Sequence, residues 1–190
     1  MSTGGSLPAA YFDALYAKQG DPWGFATSPY EQSKYAATLQ ALSGARFANA
    51  FEVGCSIGVL TRLLASCCSR LLAVDVAEAA LAQARLRCAD LNNVVFDRLQ
   101  VPDEWPQQSF DLLVFSEVLY YLSPDDVSRT ARRSRDSLGT QGTVLLVHYV
   151  LPTDYPCSGD TASEIFIAEA GFTISLQRRE AAYRLDLLRS

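Results

Sequence analysis

The chain has no Cys-x-x-Cys pair, no block of positive charge, no long apolar run and only one histidine. Its cysteines, Cys55, Cys67, Cys68, Cys88 and Cys157, are odd in number and two are adjacent. That pattern argues against a disulfide framework or a zinc site, and predicts reduced thiols in a cytoplasmic protein. The densest basic run, Arg129, Arg132, Arg133 and Arg135, has helical spacing, with Asp125, Asp126 and Asp136 within a turn of it. It predicts a solvated, ion-paired helix face. With a net charge of -5, the chain is poorly suited to a phosphate backbone, so no nucleic-acid partner is expected. No apolar run approaches the about 18 residues of a membrane span, so no membrane partner is expected either. The opening MSTGGSLPAA lacks a basic stretch before an apolar core, and no signal peptide is expected. No metal cluster, internal repeat or low-complexity tract is visible, and the oligomeric state is not legible.

What is there suits one globular domain: 190 residues, 49% of them hydrophobic, enough for a sizeable core. Two helix starts are marked. Ser28-Pro29-Tyr30-Glu31 is a capping box with proline at the first helical position, followed by Tyr35, Leu39 and Leu42 at helical spacing. Ser123-Pro124-Asp125-Asp126 repeats the device and predicts a helix to about Leu138, closed by Gly139. Strands are predicted at Ala50–Val53, Leu71–Val74, Val94–Phe96, Phe110–Phe115 and Thr143–Tyr149. These runs are continuously apolar, as strands buried on both faces are. Thr173–Gln177 and Ala182–Leu188 are spaced as a hairpin. The expected fold is a three-layer α/β sandwich, a mostly parallel sheet ending in an antiparallel hairpin. Residues 1–45 are expected to form a helical cap, with 15–30 as a lid, and 46–190 the core of a single domain.

The stretch FEVGCSIGVLTRLL begins as a buried strand and ends as a helix, with Gly54 and Gly58 between. Gly54 permits a sharp turn and the approach of a ligand beyond the strand's carboxyl end, and Gly58 permits tight packing of helix on strand. Asp75, 21 residues after Gly54 and directly after the second apolar run, is placed to hold both hydroxyls of a ribose, or to cap the helix of AEAALAQARL. The G-x-G-x-x-G of a dinucleotide site is incomplete, since Ser56 replaces its middle glycine. Glu52, two residues before the turn, is wrong for a pyrophosphate and right for a cationic ligand.

Glu52-x-Gly54-x-x-x-Gly58, then Asp75, then FDLLVFSEVLYYL, resemble the class I S-adenosylmethionine-dependent methyltransferases over nearly the whole chain. DPWGFATSPYEQSKY together with FEVGCSIGVLTRLLA and SEVLYYL resembles a narrower group, the nodulation protein S (NodS) methyltransferases. These N-methylate the non-reducing glucosamine of a deacetylated chitooligosaccharide during Nod factor synthesis. The resemblance implies a Rossmann-like seven-stranded sheet, S-adenosylmethionine as cofactor, S-adenosylhomocysteine as product and an oligosaccharide substrate. It implies that Gly54, Cys55, Ser56 and Gly58 line the methionine moiety and that Glu52 helps hold its amino group. Asp75 would bind the ribose, Val76 pack on the adenine, and Leu99 and Gln100 flank that base. Ser116 would lie near the methionine or the transferred methyl. Gln100 replaces the aspartate that many relatives present to the adenine amino group.

Transfer to an amine requires a neutral nucleophile and a group that takes its proton. Glu117, just after the fourth strand, and His148, ending the fifth in VLLVHYV, are both candidates; the alternatives are a buried paired acid and a satisfied core histidine. Trp23, Tyr120, Tyr121 and Tyr149 are candidate sugar-stacking residues, with core packing as the alternative. Tyr30 opens the helix expected to cover the cofactor, and Lys34 one turn on would stack on it or stand in solvent. The loop LPTDYPCSGD is expected to wall the substrate side. The alternatives are methylation of another small-molecule amine, hydroxyl or carboxyl acceptor, and a binding module without chemistry.

Overall fold

A computed structural model describes residues 5–42 and 44–190. Two α-helices come first, α1 (Ala9–Lys18) and α2 (Pro29–Ala41). Then follow β1 (Ala50–Val53), α3 (Val59–Leu64), β2 (Leu71–Asp75), α4 (Glu78–Arg87) and β3 (Val94–Arg98). The remainder is β4 (Phe110–Ser116), α5 (Pro124–Ser137), β5 (Leu138–Tyr149), α6 (Gly159–Ala170), β6 (Thr173–Arg179) and β7 (Tyr183–Arg189). The sheet has seven strands in the order β3-β2-β1-β4-β5-β7-β6. β1 with β2, β2 with β3 and β4 with β5 pair parallel, and β7 pairs antiparallel with both β5 and β6. This is the class I methyltransferase architecture expected above. Among the described residues no helix is long and apolar enough to cross a membrane.

The chain divides into two compact units, Pro8–Gln100 and Val101–Ser190, the latter including residues 5–7. In the first, β1 is buried along its length and β2 nearly so, because helices cover apolar Leu, Val and Ala side chains. β3 is partly exposed, with Val95 63% accessible; one neighbour in the sheet leaves it an edge. In the second unit β4 and β5 pair from Phe110↔Leu138 to Ser116↔Val147, and β7 covers β5 from Thr143↔Arg189 to Tyr149↔Tyr183. Arg184, buried on β7, donates to Asp186 at 2.8 Å and to Asp160 of α6 at 3.1 Å.

The serine half of each capping box forms: the Ser28 hydroxyl accepts from the Glu31 amide and the Ser123 hydroxyl from the Asp126 amide, while the serine amides donate to the Gly24 carbonyl and the Ser6 hydroxyl. The basic run on α5 is ion-paired, Arg129 with Asp126 and Asp103, Arg132 with Glu169. Two expectations are corrected. First, Gly139 does not close α5: the chain turns extended at Leu138, which already pairs with Phe110, so β5 begins five residues earlier than predicted. A register shift between Phe110 and Leu112 reconciles that early start with the rest of the ladder. Second, Gly58 does not serve helix-on-strand packing. It adopts φ 78°, and a Cβ there would meet Cα and Cβ of Ala84 at 2.9 Å, so it lets α3 begin against α4. Of the two places expected for Lys34 it takes the stacked one: it is buried, its Nζ donates to Glu31 at 2.9 Å and lies 5.0 Å from the centre of the Tyr30 ring.

Candidate active site

In the unit Pro8–Gln100 the candidate residues gather at the carboxyl ends of β1 and β2. After Val53 the chain turns through Gly54 (φ 77°), Ser56 (φ 50°) and Gly58. The amides of Gly54 and Cys55 both donate to the Val74 carbonyl, and that of Gly58 to the Cys55 carbonyl. The Ser56 amide donates to Asp75 Oδ2 at 2.8 Å, and Ala77 donates to Asp75 Oδ1 at 2.9 Å. These amides are satisfied within the protein. Ala77, not Asp75, stands at the N-cap of α4. Asp75 is half-buried with one amide on each oxygen, and a carboxylate has lone pairs left for further donors. Burial raises its pKa, against the amides of Ala77, Ser56 and Val76, which lower it.

Glu52 lies within β1, buried, and its Oε2 has no hydrogen-bond partner. Burial pushes its pKa up to about 7; the Thr61 hydroxyl opposes the rise and the charge of Asp75 adds to it. An orphaned carboxylate oxygen beside a second acid suits a cationic ligand, which is how these residues fit S-adenosylmethionine. Cys55 turns its side chain into a core with Ala73 and Leu81. Leu99 is tied to this end of the sheet by its amide, 3.3 Å from the Asp75 carbonyl; Gln100 is exposed. Val76 is half-buried, and its carbonyl accepts from Arg98 Nε at 2.8 Å. Tyr30 is exposed at the first turn of α2. Trp23 packs against Phe25 and the edge of Tyr16 beside Ile57, among the turn residues.

The sequence reading missed Tyr16. It lies on α1, buried with Ile57, Ala77 and Ala80, and its hydroxyl shares a hydrogen bond with that of Ser56. The signal was weak because α1 starts at Pro8, which brings no capping side chain.

In the unit Val101–Ser190 a second group forms around Glu117, which follows Ser116 at the end of β4 with φ 56°. Glu117 Oε2 accepts from the Tyr120 hydroxyl at 2.7 Å and from the Tyr149 amide at 2.9 Å. A non-glycine residue held left-handed at a strand end marks a constrained position. Tyr120 and Tyr121 are buried, and Tyr155, a second residue the sequence reading missed, stacks on Tyr120 at 5.3 Å and meets Tyr121 edge-on at 4.7 Å. Burial raises the pKa of both Tyr120 and Tyr121, and the charge of Glu117 raises that of Tyr120 further. His148 is fully buried. Its Nε2 accepts from the Leu119 amide at 3.2 Å, so the ring proton belongs on Nδ1, which faces Ser163 Oγ at 3.3 Å.

Residues 14–145 match the family model for "Nodulation protein S (NodS)". Nodulation protein S of Sinorhizobium fredii (strain NGR234) is 38% identical over 112 residues, 58% of this chain and 52% of that one. Nodulation protein S of Rhizobium tropici is 41% identical over 106 residues, 54% of this chain and 43% of that one. The chain thus spans about half the length of the nodulation proteins it matches. Among solved structures, the N-methyltransferase NodS from Bradyrhizobium japonicum WM9, in complex with S-adenosyl-L-homocysteine, aligns with a TM-score of 0.85 at 23% identity. That alignment covers 96% of this chain and 97% of that one, and is evidence of fold. A proposed methyltransferase from Pseudomonas syringae aligns at 31% identity and TM-score 0.76, over 85% of this chain and 99% of that one. With the expected turn at the end of β1, the acid at the end of β2 and the family model in agreement, the chain belongs to the nodulation protein S (NodS) family.

Proposed function

We propose that this chain is a cytoplasmic, S-adenosylmethionine-dependent N-methyltransferase acting on the free amine at the non-reducing glucosamine of a deacetylated chitooligosaccharide. Residues 1–190 would work as one methyltransferase domain with 1–45 as its cap. The observation that carries the reading is the turn Gly54–Gly58 fastened to Asp75, with Glu52 buried beside it, in a chain of the NodS family.

When bound, the cofactor supplies a methyl group made electrophilic by a sulfonium. Asp75 holds the ribose hydroxyls. Glu52 attracts the cationic amino end, while Gly54, Cys55, Ser56 and Gly58 shape the turn around the methionine. Val76, Leu99 and Gln100 flank the adenine, and Tyr30 covers it. On the acceptor side Glu117 takes the amine's proton as the N–C bond forms. Its carboxylate is already oriented by the Tyr120 hydroxyl and the Tyr149 amide, and Ser116 precedes it at the strand end. The tyrosine group of Tyr120, Tyr121 and Tyr155 suits a sugar face. The opposite engagement of both His148 nitrogens favours Glu117 over His148 as the base.

The test is calorimetric titration with S-adenosylhomocysteine. Wild type is expected to bind with micromolar affinity, about -8 kcal/mol, and Asp75→Ala to lose it. Methyl transfer to a deacetylated chitooligosaccharide but not to its fully N-acetylated form supports the amine; equal transfer to both refutes it.

A further inference from the structure

Tyr16 is a buried titratable side chain at the cofactor turn without a role in the chemistry above. Its ring is fixed by packing: 6% exposed, edge-on to Trp23 at 5.8 Å, and clustered with Ile57, Ala77 and Ala80. A tyrosine hydroxyl in such a place needs a partner, and the partner is the Ser56 hydroxyl. Ser56 holds φ 50°, a left-handed conformation uncommon for a residue other than glycine. In that conformation its amide reaches Asp75 Oδ2 at 2.8 Å. A contact that holds Ser56 therefore also holds the acid assigned to the ribose.

The same face of α1 reaches a second turn. Asp13, three residues before Tyr16 and so on its side of the helix, pairs with Arg98 at 3.8 Å, and Arg98 Nε donates to the Val76 carbonyl. Asp13 and Arg98 are both about half exposed, so that pair adds little. The buried Tyr16–Ser56 contact is the anchor.

We propose that Tyr16 is a positioning residue for the cofactor: through Ser56 it fixes the turn Gly54–Gly58 and Asp75, and so couples the docking of α1 to cofactor affinity. The inference rests on the cofactor reading above. Its hydroxyl stays protonated, since burial and the charge of Asp75 both raise its pKa, and the contact is a neutral hydrogen bond at working pH. Tyr16 touches neither reacting atom, so its effect falls on cofactor binding rather than on the transfer step.

The experiment measures S-adenosylhomocysteine affinity, and KM and kcat for S-adenosylmethionine, in wild type, Tyr16→Phe, Ser56→Ala and the double variant. Phenylalanine keeps the ring packing and removes only the hydroxyl. Each single variant is expected to raise Kd and KM together by about 3- to 10-fold, the range of one net hydrogen bond, with kcat largely retained. The double variant is expected to be no worse than the more affected single one, because both remove the same contact. Wild-type affinity in Tyr16→Phe, or losses that multiply in the double variant, overturns the inference while leaving the cofactor reading intact. Should Tyr16→Phe fail to fold, Ser56→Ala decides alone, and unchanged affinity there overturns it. If wild type itself does not bind S-adenosylhomocysteine, the cofactor reading fails and the inference with it.

Discussion

Glu52 is where a residue's type and its state part company. The acid before the turn was visible in the sequence as a feature suited to a cation. Its protonation is decided by burial, with one oxygen unpartnered and a pKa of about 7. A carboxyl group whose pKa is higher in the folded than in the unfolded chain binds its proton more tightly when folded. Its contribution to stability is therefore full below the unfolded value near 4.3 and is lost as pH rises through about 7. For a shift of this size the loss is on the order of 3 kcal/mol. The melting temperature of the ligand-free protein is expected to fall between pH 4.5 and 7.5 more steeply in wild type than in Glu52→Gln, followed by circular dichroism. Parallel profiles would mean that Glu52 is ionised throughout. Tyr16 shows the converse at the same scale: its residue type announces nothing, and only its partner makes it matter.

At the scale of elements, those with strong local chemistry were legible and those set by neighbours were not. α2 and α5 begin where Ser28 and Ser123 said they would, because a serine hydroxyl satisfying an orphan amide is a local event. α1 has no such cap, and its helical state depends on packing against the turn residues. β5 runs longer than its apolar stretch because Leu138 already pairs with Phe110 of β4, and polar Thr140 and Gln141 fall in the register shift before Leu112↔Thr143. The hairpin β6–β7 was legible from its spacing, but the ion network joining it to α6 was not. Arg184 and Asp186 are both buried, and removing one partner leaves the other charged and unmatched. Asp186→Ala is expected to destabilise the protein by about 3 kcal/mol, read from the urea midpoint. Asp160→Ala should shift that midpoint less, since water reaches Asp160.

For the molecule as a whole, Glu52, the turn Gly54–Gly58 and Asp75 belong to one compact unit, and Glu117 with its tyrosines to the other. Their functions should therefore separate by mutation. Glu117→Gln is expected to lower turnover on an amine acceptor by at least about 100-fold, as loss of a general base does, with S-adenosylhomocysteine affinity unchanged. Turnover retained in Glu117→Gln but lost in His148→Asn would move the base to His148. No disulfide joins Cys55, Cys67, Cys68, Cys88 and Cys157, and the scheme uses no thiol chemistry from any of them.

The sequence by itself determined the strand order's raw material, the helix caps, the glycine turn, the acid at the end of β2 and the family. Each of these is written in neighbouring residues or in short spacings, where backbone conformation and capping follow from local chemistry. Only the tertiary structure decided that Gly58 serves Ala84, that Lys34 is buried on Tyr30, that Glu52 holds its proton to about neutrality and that Tyr16 grips Ser56. Those depend on side chains distant in sequence sharing one dry space, where exclusion of water sets both the packing and the charge.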